Sequence, residues 1–424
     1  MTERADRARL ARRPAAITGL VAAIVLAAAA AVLVPWDWVP GGDLEPLAAT
    51  EVFTRAEIAR AEEYSSVRRY LGWASYAVSL LVALTLGLTA AGSRLLHRAQ
   101  GRLRWWLAVP VGTLVLLMVG RLVTLPLSVM IHQRNRDYAL SDQAWTGWFL
   151  DVARSVLVSW VLTTLLLLAV VAAARRSPRY WFAWAGGMAV LLTLGASFLY
   201  PVLVEPLFNR FTPMQAGPFK ASVFALAERQ GVRIDEVLVA DASRRTTTLN
   251  AYVSGFGSTR RVVVYDNLLA DLPPGQARVV ISHELAHTEN QDVLVGTSLG
   301  ALGSVSGVCA LALALDARWL QRRSGTEGAA DPTALAAVLA LVALGAAVSS
   351  PLQNTISRAV EVRADRESIA VTGSEDRFIE MQRELSTSAL NDPTPPAWSQ
   401  LWFGSHPTAL QRAGLPASLR RAAQ

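Results

Sequence analysis

The chain has 424 residues, of which 52% are hydrophobic and only 17% charged, with mean hydropathy +0.32. Soluble domains carry roughly 25% charged residues, so this balance excludes an ordinary soluble globular protein and directs attention to long apolar runs. The net charge of +7 is almost wholly arginine, Lys220 being the one lysine. These arginines flank apolar runs, which fits membrane orientation and sets nucleic acid aside as a partner.

Seven runs reach the roughly 20 apolar residues that cross a bilayer: 15–34, 70–92, 105–129, 148–173, 180–200, 295–315 and the Ala-rich 333–350. The first follows Arg4, Arg7, Arg9, Arg12 and Arg13 and ends at Pro35-Trp36. It resembles a signal peptide, but its length and the spans that follow make it a retained helix. Trp36, Trp38, Trp105, Trp106, Trp181 and Trp184 stand at span ends, as interfacial indole rings do. Between the fifth and sixth runs, residues 202–294 are mixed and polar. A helix is predicted over Phe219 to Gln230, and β-type runs over Val237 to Val239, Leu249 to Val253 and Arg261 to Tyr265. Residues 324–332 read as a loop, and 351–424 as polar and mostly helical. Cys309 is the sole cysteine. It excludes an intramolecular disulfide or a cysteine-based zinc site, and reads as a small core residue.

Within the polar region stands His283-Glu284-Leu285-Ala286-His287, behind Pro273 and Pro274, which suit a helix start. Positions i and i+4 share a helix face, so both imidazoles reach one metal, with Glu284 beside them as general base. Only five histidines occur in the chain, which makes chance placement of this pattern rare. A catalytic zinc needs a third protein ligand and an open position. Glu361 and Asp365, four apart, are candidates: Glu361 as ligand, Asp365 as acceptor from a ligating histidine. The alternative is a solvated helix whose acids pair with Arg358 and Arg363.

The zinc motif followed by Ser357-Arg358-x-x-Glu361-x-x-Ala364-Asp365 resembles the integral-membrane zinc metallopeptidase family that includes the type I CAAX prenyl proteases. The likeness extends to Leu249 through Gly257, to Arg261 through Leu269, and to Pro206-Leu207-Phe208-Asn209-Arg210-Phe211-Thr212-Pro213. It also takes in Tyr138 through Gln143 with Trp148 and Asp151, and Ser405-His406-Pro407 with Arg412. The resemblance implies an α-helical integral membrane protein: seven transmembrane helices around a chamber, capped by an α+β gluzincin-type zinc peptidase domain. It implies one Zn2+ per chain on His283, His287 and Glu361, with Glu284 as base and acid and Asp365 orienting a ligand. His406 and Arg412 would stabilise the oxyanion. Asn250 and Ala251 would hold a peptide or protein substrate as an added strand. Arg121, Asp151 and Arg154 fit chamber walls, with snorkelling to the interface the alternative for Arg154. Ala286 stands where glycine is common in the family, and Gln411 where an acid is often found.

The expected organisation is then five spans with an amphipathic loop in 1–201, the zinc-helix part of the peptidase domain in 202–294, two further spans in 295–350, and the remainder of that domain in 351–424. Arginine-, alanine- and glycine-rich usage points to a bacterial cell membrane. Fifteen arginines flank the spans on the N-terminal side, against six in the short loops opposite. By the positive-inside rule this places the zinc domain outside the cytoplasm, whereas the resemblance to eukaryotic members places it inside. Two other functions compete: a zinc-binding sensor or scaffold without turnover, and a transporter. The transporter lacks the inverted repeat that such folds carry.

Overall fold

The computed structural model describes residues 10–255 and 260–424. Arg4, Arg7 and Arg9 of the N-terminal arginine group, and Phe256 and Gly257 of the Leu249–Gly257 motif, lie outside the described residues. The chain runs through α1 (Arg12–Leu33), α2 (Arg55–Leu88), α3 (Ala90–Gln100), α4 (Trp105–Asp137), α5 (Trp145–Arg176) and α6 (Trp181–Leu203). It then enters a polar region with α7 (Pro218–Arg229) and α8 (Pro274–Glu289). Two long helices follow, α9 (Asp292–Leu315) and α10 (Leu335–Thr372), then α11 (Glu375–Ser388) and α12 (Ala409–Ala422). Seven of these, α1, α2, α4, α5, α6, α9 and α10, are long and apolar enough to cross a membrane, in agreement with the seven runs of the sequence. Lipid offers the backbone no partners, so a spanning segment must close its hydrogen bonds within itself. Exposed side chains such as Leu20, Leu81, Leu191 and Val348 are apolar, as a lipid-facing surface requires.

Small residues set how closely the spans approach. A Cβ at Gly19 of α1 would lie 2.8 Å from Cβ of Cys309 on α9, and Ser306 Oγ donates to the Gly19 carbonyl at 3.1 Å. The first apolar run is thus packed into the bundle, and Cys309 is the buried small residue expected of it. At Gly87 of α2, a Cβ would lie 2.3 Å from Ala340 Cβ and 2.5 Å from the Ala336 carbonyl of α10. The arginine-rich span ends lie together at one end of the bundle. Arg12 pairs with Asp316 at 3.4 Å, Arg175 donates to the Ala330 carbonyl, Arg323 to that of Leu88, and Ala11 N–H to that of Arg179.

The opposite end carries a four-stranded sheet of β1 (Phe211–Pro213), β2 (Glu236–Ala240), β3 (Ala251–Ser254) and β4 (Arg261–Tyr265), in the order β1-β2-β4-β3. β2 and β4 are parallel; the outer pairs are antiparallel. Strand alternation divides the side chains between two faces. Val262, Val264 and Ala251 join α8 residues Ile281 and Leu285 in one core, while Val263 packs with Leu238 and Ala240 on the other face. β3 starts two residues later than the predicted run. β1 was not predicted, because three residues ending in proline carry no periodic signal.

The seventh span and the helix bearing Glu361 are one element: α10 has 38 residues, with Pro351 inside it. At about 1.5 Å per residue it is roughly 57 Å long, enough to cross the bilayer and continue into the peptidase region. The boundary drawn at 350 therefore falls within a helix, and that at 294 falls within the first turn of α9.

Candidate active site

Helix α8 begins behind Pro273 with Pro274 in its first turn, a position that needs no amide donor. Its Ile281 and Leu285 are buried in the core shared with the sheet, which turns His283 and His287 to the other side of the helix. Their Nε2 atoms lie 3.1 Å apart. From α10, Glu361 brings Oε2 to 3.3 Å from His283 Nε2 and Oε1 to 3.6 Å from His287 Nε2. Zinc bonds to nitrogen and oxygen of about 2.0–2.2 Å place tetrahedral donors roughly 3.3–3.6 Å apart. The two nitrogens stand slightly closer, and one donor atom from each of the three residues lies within 4.8 Å of the others, so the three groups can hold a single metal ion. Glu361 Oε2 is buried with no hydrogen-bond donor. Buried acceptors are rarely left so, and a metal ion would satisfy it.

Behind each histidine stands a carboxylate, itself held by an arginine. Asp365, fully buried, puts Oδ1 2.9 Å from His283 Nδ1; the contact is close but not aligned as a hydrogen bond. Arg412 grips Asp365 with Nε at 2.8 Å and Nη2 at 2.5 Å. His287 Nδ1 lies 2.9 Å from Asp292 Oδ2, and Asp292 pairs with Arg363. The solvated-helix alternative does not hold: Glu361 and Asp365 are buried, Arg363 serves Asp292, and Arg358 donates to the carbonyls of Gln400 and Gly404. Burial disfavours a charged His283. The Asp365 carboxylate, aided by Glu361, outweighs it, and the pKa is pushed up to about 10. Burial also pushes the Glu284 carboxyl above its ordinary value, against the pull of both imidazoles.

These groups open onto a cavity of 560 Å³ lined by His283, Glu284, His287, Glu361, His406, Asn250 and Ala251, with an aromatic wall that includes Tyr200, Phe208 and Tyr265. Asn250 and Ala251 lie at the start of β3, an edge strand. His406 Nε2 is 3.3 Å from Glu361 Oε1. Arg412 is not among the lining residues; its guanidinium is turned to Asp365. Sequence reasoning missed Asp292, and also Glu205 and Tyr252, which line the cavity. Tyr252 donates to Glu205 at 3.0 Å, and burial and that carboxylate together raise its pKa, so its hydroxyl keeps its proton. The Pro206 to Pro213 motif adjoins Glu205, and Tyr252 falls within the Leu249 to Gly257 motif; these were the signals that pointed there.

Residues 213–415 match the family model described as peptidase family M48. Residues 43–210 match that described as "CAAX prenyl protease N-terminal, five membrane helices". The uncharacterized metalloprotease YhfN of Bacillus subtilis is 27% identical over 84% of both chains. A CAAX prenyl protease 1 homolog of Dictyostelium discoideum is 30% identical over 56% of this chain and 55% of its own. The crystal structure of S. mikatae Ste24p shares the fold, with TM-score 0.78 and 18% identity over 95% of this chain and 98% of that one. With seven candidate spans and a His-His-Glu cluster among the described residues, and the two family matches covering 43–210 and 213–415, the chain belongs to peptidase family M48, as a multi-pass membrane metallopeptidase.

Proposed function

We propose that the protein is a zinc endopeptidase holding one zinc per chain on His283, His287 and Glu361, with Glu284 as general base. The observation that carries this reading is the convergence of those three donors within reach of one metal ion, beside Glu284 on the wall of the same cavity. When bound, zinc lowers the pKa of a water to about 7 and polarises a carbonyl. Glu284 accepts the water's proton and returns it to the leaving amine. Asp365 and Asp292 hold the two imidazoles in the orientation that points Nε2 at the metal. His406, at the cavity wall, faces the developing oxyanion. Arg412 acts from behind, through Asp365, because both its engaged nitrogens are occupied there. The substrate peptide lies extended along the free edge of β3, its backbone held by Asn250 and Ala251.

The division into bundle and split peptidase domain supports this reading, since α10 carries a ligand directly from the membrane. The chain sits in a bacterial cell membrane, and the clustered arginine ends favour a peptidase domain outside the cytoplasm. Removal of metal by a chelator, followed by zinc restoration, tests the central assignment. Cleavage of a reporter peptide is expected to vanish and return with about one equivalent of zinc. Cleavage that persists in metal-free protein would refute it.

A further inference from the structure

A second cavity, of 610 Å³, lies inside the bundle among α2, α4, α5 and α10 and shares no lining residue with the active-site cavity. Its volume falls in the roughly 300–1,000 Å³ range of ligand sites. Leu86, Leu116, Leu117, Val156 and Leu339 make its walls largely apolar. Two charged groups line it, Arg121 and Asp151, and they are in opposite situations. Asp151 is saturated: it accepts from Arg245 at 2.8 and 3.3 Å, from Gln143 at 2.7 Å and from Arg154 at 3.0 Å. Arg121 is not. Among the described residues it forms no ion pair, its Nε is buried with no acceptor, and its one side-chain hydrogen bond is a long 3.4 Å contact to Ser128 Oγ.

An unpaired guanidinium within a membrane span is costly and calls for an anion. The planar fork of arginine matches a carboxylate or a phosphate equally. A small inorganic anion would satisfy the charge and leave the apolar walls unfilled. We propose that this cavity binds an amphiphile with an acyl chain and a single anionic head, the head paired with Arg121 and the chain lying among the leucines.

The test uses the full-length protein in neutral detergent. Palmitate, phosphatidylglycerol and, as the uncharged control, 1-hexadecanol are titrated calorimetrically into wild type, Arg121→Gln and Arg121→Lys. Wild type is expected to prefer an anionic amphiphile to hexadecanol by about ten-fold or more, the scale of a hydrogen bond to a charged group. The preference should disappear in Arg121→Gln and survive in Arg121→Lys, which also shows that the fold tolerates substitution there. Binding of palmitate alone assigns a carboxylate head, and of phosphatidylglycerol alone a phosphate head; either supports the site. Equal binding of all three probes by wild type, or an anion preference that persists in Arg121→Gln, overturns it. So does a peptide arm in which amidating the substrate C-terminus lowers kcat/KM in wild type but not in Arg121→Gln, since Arg121 would then serve peptide recognition.

Discussion

His283 and His287 are treated alike by the fold although their supports come from different places. Each presents Nε2 to the common centre and has its Nδ1 against a carboxylate, Asp365 for one and Asp292 for the other, at 2.9 Å in both cases. Each carboxylate is fixed by an arginine, Arg412 or Arg363. Such supports typically change metal affinity by about 10–100-fold. Asp365→Asn and Asp292→Asn are each expected to weaken zinc binding by about that factor in chelator competition. An unchanged affinity in Asp292→Asn would mean that His287 is oriented by something else. Asp365 was legible in the sequence because it follows Glu361 by one helical turn. Asp292 was not: its approach depends on Gln291, whose left-handed backbone (φ 56°) breaks the helical path between α8 and α9. A non-glycine residue in that conformation has no reliable sequence signal. The alternative pairing of Arg363 with the acids of its own helix fails for a related reason, since Arg363 finds Asp292, distant along the chain.

The elements are held in place by close crossings of small residues, and by α10 above all. The sequence marked a seventh span and a separate helix with Glu361; Pro351 between them reads as a helix break in soluble proteins. In a helix leaving a membrane, proline is tolerated where neighbours re-satisfy the freed groups, and the two segments are continuous. Glu361 thus rides on a helix long and apolar enough to span the membrane, and its register depends on how α2 packs against α10. At Gly87 there is no room for a side chain. Gly87→Leu is expected to destabilise the protein by about 1–3 kcal/mol, the range for overpacking, read as a lower Tm in detergent. A variant as stable as wild type would show that this crossing does not hold α10. Most spans were readable from apolar length alone, since lipid imposes a long uniform signal. The edge position of β3 was not, because sheet order follows from pairing partners and not from the pattern within a strand.

At the scale of the whole molecule, a bundle with arginine-rich ends on one side carries the peptidase region on the other. Charge asymmetry of this kind sets orientation. A C-terminal alkaline phosphatase fusion is therefore expected to be active and a C-terminal green fluorescent fusion dark; the reverse pattern would place the metal site in the cytoplasm. The chemistry of the site was largely present in one five-residue motif, but the third donor and both supports depend on chain segments that only folding brings together. The most direct test of the assignment is Glu284→Gln, measured for zinc content and peptide cleavage together. The variant is expected to keep its zinc, because His283, His287 and Glu361 are untouched, and to lose about 10²–10⁴-fold in cleavage rate with its base. Cleavage at the wild-type rate by zinc-loaded Glu284→Gln would contradict the account.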